Sequence, residues 1–124
     1  MARSDPVRVM VVDDQADARF LVRVLLEEHE DVEVVAEADG AQAAFRGLAA
    51  DPQVVLLDAR MPLVSGFELA PQLLERAPEV RIALLSTIVD ERVEALAHAA
   101  GMRRCLVKGD FDGLADVVRE LAGR

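Results

Sequence analysis

The chain has 124 residues, 52% of them hydrophobic, and a formal net charge of −9 at pH 7. This length is typical of one domain that buries its core without disulfides or metal staples, and a single cysteine excludes an internal disulfide. The acidic excess disfavours binding to the phosphate backbone of nucleic acids. Because no apolar run is long enough to cross a bilayer and no leader is recognisable, we expect a cytoplasmic domain that contacts neither DNA nor a membrane.

The first two predicted strands lie at 7–12 and 32–36. Apolar residues at helical spacing follow the first strand, and that helix is predicted to end near His29. Glu33 interrupts the apolar character of the second strand, which favours a position at the edge of a sheet.

The central part of the chain predicts a helix, a strand and a second helix. Asp51-Pro52 ends the first of these helices, and 54–57 is apolar at every position, which is typical of a strand covered on both faces. Pro71 falls inside the apolar pattern of the helix that follows. Because proline disrupts a helix interior, we expect that helix to begin late or to kink there.

The last third predicts strands at 82–85 and 105–107, each followed by a helix, and Gly101 ends the first of those helices. The whole chain therefore alternates five strands with five helices. This alternation indicates an α/β fold, in which a doubly wound parallel sheet carries helices on both faces.

Polar side chains follow four of the predicted strands directly. In a parallel sheet these carboxyl ends meet at one edge, where ligands of open α/β sheets bind. The residues at the four strand ends are Asp13-Asp14, Asp58, Ser86-Thr87 and Lys108.

Three carboxylates at one edge repel one another unless a cation lies between them. Mg²⁺ suits this cluster because it prefers oxygen ligands and is commonly held by carboxylates together with phosphate oxygens. Lys108 adds a charge and Ser86 a hydroxyl suited to phosphoryl oxygens, and a carboxylate such as Asp58 can act as a nucleophile. The cluster therefore predicts a phosphoryl site.

Each residue alone has a simpler explanation. Asp14 is suited to capping the next helix, Asp58 to a turn, and Lys108 and Ser86 are ordinary surface side chains when they occur singly. Their joint arrangement at four strand ends is what favours the phosphoryl site.

These positions resemble the receiver domain of bacterial response regulators over nearly the whole chain. Ser86 rather than Thr87 corresponds to the family's hydroxyl residue, because 22 positions separate it from Lys108, as in the family. We expect a receiver domain at 7–122, preceded by a short tail at 1–6. The residues that carry the resemblance are Asp13, Asp14, Asp58, Met61, Pro62, Gly66, Ser86 and Lys108.

The resemblance implies a CheY-like, flavodoxin-like strand order 2-1-3-4-5 and a phosphorylatable switch rather than a conventional enzyme. Asp58 would accept a phosphoryl group from a sensor histidine kinase, aided by Ser86 and Lys108. Mg²⁺ would be held by Asp14, Asp58 and the backbone carbonyl of Arg60, with Asp13 acting through a metal-bound water. A homodimer is compatible with these expectations.

The chain departs from the family pattern at two positions. Cys105 replaces the aromatic residue that usually rotates on activation, and Gly109 replaces the proline that usually follows the lysine through a cis bond. Because a cis bond before a non-proline residue is costly, we predict a trans bond between Lys108 and Gly109. The residues at 106–110 look like receivers of LuxR-type (NarL-like) transcription factors, which leaves a truncated regulator and a stand-alone one both open.

Two other interpretations stay open from the sequence. A phosphatase of the haloacid-dehalogenase type resembles the chain in fold and in its aspartyl nucleophile, but it requires an acid where Arg60 stands. A pseudo-receiver would keep the fold without the phosphoryl transfer. The intact set of Asp58, Ser86 and Lys108 argues against it, whereas the lost aromatic residue favours it.

Overall fold

The computed structural model describes residues 5–124, so residues 1–4 of the predicted tail lie outside the described part. Among residues 5–124, no helix is long and apolar enough to cross a membrane. A short 3₁₀ turn, Leu48–Ala50, follows the second helix. The strands and helices are β1 (Val7–Val12), α1 (Ala16–Glu27), β2 (Val32–Ala38), α2 (Ala41–Gly47), β3 (Val54–Asp58), α3 (Gly66–Arg76), β4 (Arg81–Ser86), α4 (Glu91–Ala99), β5 (Arg104–Val107) and α5 (Leu114–Leu121).

The five strands form one parallel sheet in the order β2-β1-β3-β4-β5. This order confirms the predicted doubly wound α/β fold. It also places β2 at an edge, where its solvent-exposed Glu33 is tolerated, as the sequence indicated.

Alternating side chains of the sheet build two apolar cores, one on each face. Val55 and Leu57 of β3 pack into the core that α2, α3 and α4 cover, whereas Val54 and Leu56 pack into the core beneath α1 and α5. Because both faces are buried, β3 is buried at all five positions, including Asp58. The burial of Asp58 therefore follows from the central position of its strand.

Of the two expectations for α3, the late start was wrong, and the kink at Pro71 stays a prediction. The helix begins at Gly66 and continues through Pro71. Ser65 caps its N-terminus: the Ser65 hydroxyl accepts from the Glu68 amide, and the Glu68 carboxylate accepts from the Ser65 amide. This capping box stabilises the first turn, and Pro71, which has no amide hydrogen to donate, lies on the exposed side of the helix.

Candidate functional site

The carboxyl edge of the sheet brings the predicted residues together in a cleft of about 240 Å³. Asp58 ends β3, Ser86 ends β4, and Asp13 and Lys108 follow β1 and β5. The cleft is lined by Asp14, Gln15, Asp58, Ala59, Arg60, Ser86, Thr87 and Lys108. Adjacent parallel strands thus deliver to one place side chains that are far apart in the sequence.

Three carboxylates form the acidic part of the site. One oxygen each of Asp13, Asp14 and Asp58 lies within 4.8 Å of the other two. Asp13 is 2% exposed and Asp58 is 3% exposed, and among residues 5–124 they are the two fully buried polar residues. Buried carboxylates at this separation require a compensating positive charge.

Lys108 supplies that charge in this structure. Its Nζ lies 2.8 Å from Asp13 Oδ2 and 3.2 Å from Asp58 Oδ2. Burial alone would lower the pKa of the Lys108 ammonium, but its hydrogen bonds to Asp13 and Asp58 and their charges outweigh burial and raise it. Lys108 is therefore charged and points at the predicted phosphoacceptor.

Backbone amides hold the remaining carboxylate oxygens. Asp58 Oδ1 accepts from the Arg60 amide at 3.3 Å, and Asp13 Oδ1 accepts from the Gln15 amide at 2.9 Å. Each carboxylate is thus oriented by the turn that follows its own strand. The contact of Gln15 with Asp13 was not predictable from the sequence, because a backbone donor leaves no signal in side-chain chemistry.

The pKa of the Asp58 carboxyl is raised above its ordinary value. Burial is the largest cause and the negative charge of Asp13 is the second, and both outweigh the opposing contribution of Lys108. Ionisation of Asp58 therefore destabilises the folded protein, and a further cation at the cluster would reduce this destabilisation.

The Ser86 hydroxyl does not bond to the carboxylates in this structure. It donates to the Ile88 carbonyl at 2.7 Å and accepts from the Ile88 amide at 3.3 Å. The Ser86 carbonyl accepts from the Lys108 amide at 2.7 Å, which joins the ends of β4 and β5. Ser86 therefore lines the cleft while its hydroxyl belongs to the loop after β4.

Gly66 brings the start of α3 against the end of β3. A Cβ atom at this position would lie 2.5 Å from the Asp58 carbonyl oxygen and 3.2 Å from Ala59 Cα. The Gly66 amide donates to the Ala59 carbonyl at 3.0 Å. A side chain at position 66 would therefore push α3 away from the strand that carries Asp58.

The loop after β5 confirms the predicted trans bond between Lys108 and Gly109, since no cis peptide occurs within residues 5–124. Gly109 has a φ of +97°, a conformation that glycine adopts readily and other residues rarely do. This turn allows Lys108 to reach Asp13 and Asp58 without the proline of the family pattern.

Cys105 is half-buried on β5 and packs against the core beneath α4. Burial and the negative charge of Glu94 raise the pKa of its thiol. The thiol therefore stays protonated near neutral pH and serves as a small packing group.

The donor set of the cluster fits a hard divalent cation. Three carboxylate oxygens converge, and Arg60, whose carbonyl is the third predicted direct ligand beside Asp14 and Asp58, lines the same cleft. Mg²⁺ commonly takes one or two carboxylates and keeps several waters, so the open side of the cleft suits it. The residues present therefore fit the predicted ion, and the acidic pocket lies where the sequence indicated one.

The match of residues 9–119 to the response regulator receiver domain family decides the classification. The chain belongs to this family. The match confirms the predicted receiver of a two-component system and favours it over the phosphatase interpretation.

One curated relative is similar to most of this receiver. A protein-glutamate methylesterase/protein-glutamine glutaminase from Rhodospirillum rubrum is 38% identical over 106 residues, which is 83% of this receiver and 27% of that relative. The receiver thus spans about a quarter of the length of this curated relative.

Solved structures of other receivers are also similar to this one, including one of NarL and one of CheY6. The signal receiver domain of NarL from Mycobacterium tuberculosis is 30% identical, with a TM-score of 0.88 and coverage of 97% of this chain and 98% of that one. In a complex from R. sphaeroides, CheY6 bound to the P1 domain of CheA3 gives 28% identity and a TM-score of 0.81, with coverage of 98% and 100%. Both similarities extend over nearly the whole of this receiver.

Proposed function

We propose that Asp58 accepts a phosphoryl group in a Mg²⁺-dependent reaction, and that residues 7–122 form the receiver that does so. The observation that carries this proposal is the buried Asp58 carboxylate, 3.2 Å from the Lys108 ammonium and within 4.8 Å of two further acids. A nucleophile, a charge for the incoming phosphoryl oxygens and a cation site thus share one cleft.

The donor we propose is a phosphohistidine of a sensor histidine kinase. An oxygen of Asp58 forms the new O–P bond while the N–P bond of the phosphohistidine breaks, and the electron pair stays on the imidazole nitrogen. The solved complex of CheY6 with the P1 domain of CheA3 supports a kinase domain as the partner.

Mg²⁺ would be held by Asp14, Asp58 and the Arg60 carbonyl, with Asp13 acting through a bound water. When bound, the ion supplies positive charge to the phosphoryl oxygens. Lys108 provides a second charge beside Asp58. Together they offset the repulsion between the acidic cluster and an anionic donor.

Phosphorylation would act on the rest of the domain through Ser86. To donate to a phosphoryl oxygen, its hydroxyl must release the Ile88 carbonyl, to which it donates at 2.7 Å. That exchange changes the loop between β4 and α4, and the surface of α4, β5 and α5 carries the change. The domain itself then performs no chemistry beyond its own phosphorylation and dephosphorylation.

We further propose a cytoplasmic location and a LuxR-type, DNA-binding transcriptional regulator as the output. The cytoplasm contains the kinase class proposed above, and the lone cysteine makes no disulfide. The similarity to the NarL receiver supports the LuxR-type output, and the methylesterase relative makes a catalytic output the alternative.

Intact mass spectrometry tests the phosphorylation. The chain is incubated with Mg²⁺ and a small acyl phosphate, and we expect a gain of one phosphoryl group that disappears in Asp58→Asn and when EDTA removes the ion. A chain that gained no phosphoryl group would be a pseudo-receiver, and steady hydrolysis of added phosphomonoesters would indicate a phosphatase. Either of those results would overturn the proposal.

A further inference from the structure

Arg19 of α1 reaches behind the turn that carries the first two acids. Its Nη1 donates to the backbone carbonyl of Asp13 at 2.6 Å, and its side chain is 17% exposed. Its Nε is the only buried side-chain nitrogen or oxygen within residues 5–124 that lacks a hydrogen bond. The guanidinium is thus placed to donate to the Asp13 carbonyl, while its buried Nε is left without a hydrogen bond.

Glu37 of β2 holds the guanidinium from the other side. Its Oε1 lies 3.4 Å from Arg19 Nε, close enough for an ion pair but without the alignment of a hydrogen bond. β2 also fixes the same turn directly, because the Asp13 amide donates to the Ala38 carbonyl at 2.9 Å. Both backbone polar groups of Asp13 are therefore bonded, one to β2 and the other to α1.

We propose that Arg19 is a positioning residue for the Mg²⁺ site, an inference that rests on the proposed phosphoryl-transfer function. By fixing the Asp13 carbonyl, it sets the turn that holds the carboxylates of Asp13 and Asp14 beside Asp58. A planar guanidinium can donate to the carbonyl and face a carboxylate at once, whereas a lysine ammonium has one donor atom. Groups that orient metal ligands in this way commonly control affinity.

Whether Mg²⁺ binding becomes weaker or stronger when Arg19 is removed distinguishes a positioning role from an effect of its charge alone. Removing a cation near three carboxylates would strengthen Mg²⁺ binding if Arg19 acted only through its charge. Releasing the Asp13 carbonyl would weaken Mg²⁺ binding, because the ligands would lose their fixed orientation. We expect the second effect to dominate.

Arg23 provides a matched control. It lies one turn further along α1 and binds the same Glu37, with Nη1 2.9 Å from Oε2, but its side chain pairs with Glu37 and Glu27 and not with the Asp13 turn. Arg23→Met and Arg19→Met each remove one positive charge and one contact with Glu37. Only Arg19→Met releases the Asp13 carbonyl.

Mg²⁺ titration followed by amide NMR shifts measures the difference. We expect Arg19→Met to raise the Mg²⁺ dissociation constant about tenfold and Arg23→Met to leave it within a factor of two or so of wild type. In Mg²⁺-free protein, the amides of Asp14 and Gln15 should shift in Arg19→Met and not in Arg23→Met. Unchanged or tighter Mg²⁺ binding in Arg19→Met would overturn the role.

If Arg19→Met fails to fold, Arg19→Lys provides the test, because the lysine retains the positive charge and lacks the guanidinium. We expect it to bind Mg²⁺ more weakly than wild type, and full affinity in Arg19→Lys would contradict the need for the guanidinium. Asp14→Ala separates this inference from the proposed function: it should bind Mg²⁺ weakly whatever Arg19 does. Wild-type affinity in Asp14→Ala would overturn the metal site and this inference with it.

Discussion

Asp58 and Asp31 show how position changes the chemistry of the same side chain. The Asp58 carboxyl is buried at the end of a central strand beside Asp13, and its pKa is raised. The Asp31 carboxyl is exposed and receives two hydrogen bonds from Arg119, at 2.6 and 2.9 Å, which hold its pKa at about 2. Their ionisation therefore affects stability in opposite directions.

In the absence of Mg²⁺, Asp58→Asn should remove the loss of folding stability that ionisation of the buried Asp58 carboxyl causes as pH rises. Because the folded state binds the Asp58 proton more tightly than the unfolded state, the free energy of unfolding of wild type falls as pH rises from the ordinary value of 3.8 through the raised pKa. A tenfold difference in proton affinity between the two states corresponds to about 1.4 kcal/mol. We therefore expect Asp58→Asn to gain stability relative to wild type with rising pH, measured by urea unfolding in EDTA.

Asp31→Asn is the control for Asp58→Asn, because the ionised Asp31 carboxylate stabilises the folded state whereas the ionised Asp58 carboxylate destabilises it. Asp31 has a pKa of 3.8 in the unfolded chain and of about 2 in the folded protein. Its contribution to folding stability is therefore fully present above pH 3.8 and is lost as pH falls towards about 2. We expect Asp31→Asn to be less stable than wild type at neutral pH, with the difference vanishing in acid. If the free energy of unfolding of Asp58→Asn changed with pH in parallel with that of wild type, the destabilising effect assigned to the buried Asp58 carboxylate would be contradicted.

At the scale of the elements, the site depends on how closely α3 approaches β3. Gly66 permits this approach, because its amide bonds to the Ala59 carbonyl and a Cβ would meet the backbone of Asp58. The atoms in the way are main-chain atoms, which cannot move aside as the end of a flexible side chain can. The packing of α3 is thus coupled to the orientation of Asp58, the proposed phosphoacceptor.

Gly66→Ala should lower the free energy of unfolding by about 1–3 kcal/mol, as overpacking against a fixed backbone does. Gly40→Ala is the matched control, since a Cβ there meets nothing within 4 Å and φ is extended at 177°. We expect it to lose at most about 1 kcal/mol through poorer capping of α2. Equal losses in the two variants, measured by urea unfolding, would contradict the close approach at Gly66.

For the whole molecule, the alternation of strand and helix patterns predicted the parallel sheet, and the family resemblance implied its strand order. The site was predictable because a polar residue directly follows each of four apolar runs. Parallel strands then bring Asp13, Asp58 and Lys108 to one edge without further information. The hydroxyl orientation of Ser86 was not predictable, since it depends on hydrogen bonds in the loop after β4. Arg19 was missed because a charged residue on a helix is ordinarily solvated, and its role depends on how α1 packs against β1 and β2.

We propose that Asp58, Ser86 and Lys108 act as one site whose occupation changes the loop before α4. Beryllium trifluoride with Mg²⁺ mimics an acyl phosphate on a carboxylate without covalent transfer, so amide NMR shifts on its addition test the claim directly. We predict shifts at Asp58, Ser86 and Lys108 and along α4, with none of them in Asp58→Asn. An unchanged wild-type spectrum, or the same shifts in Asp58→Asn, would contradict it.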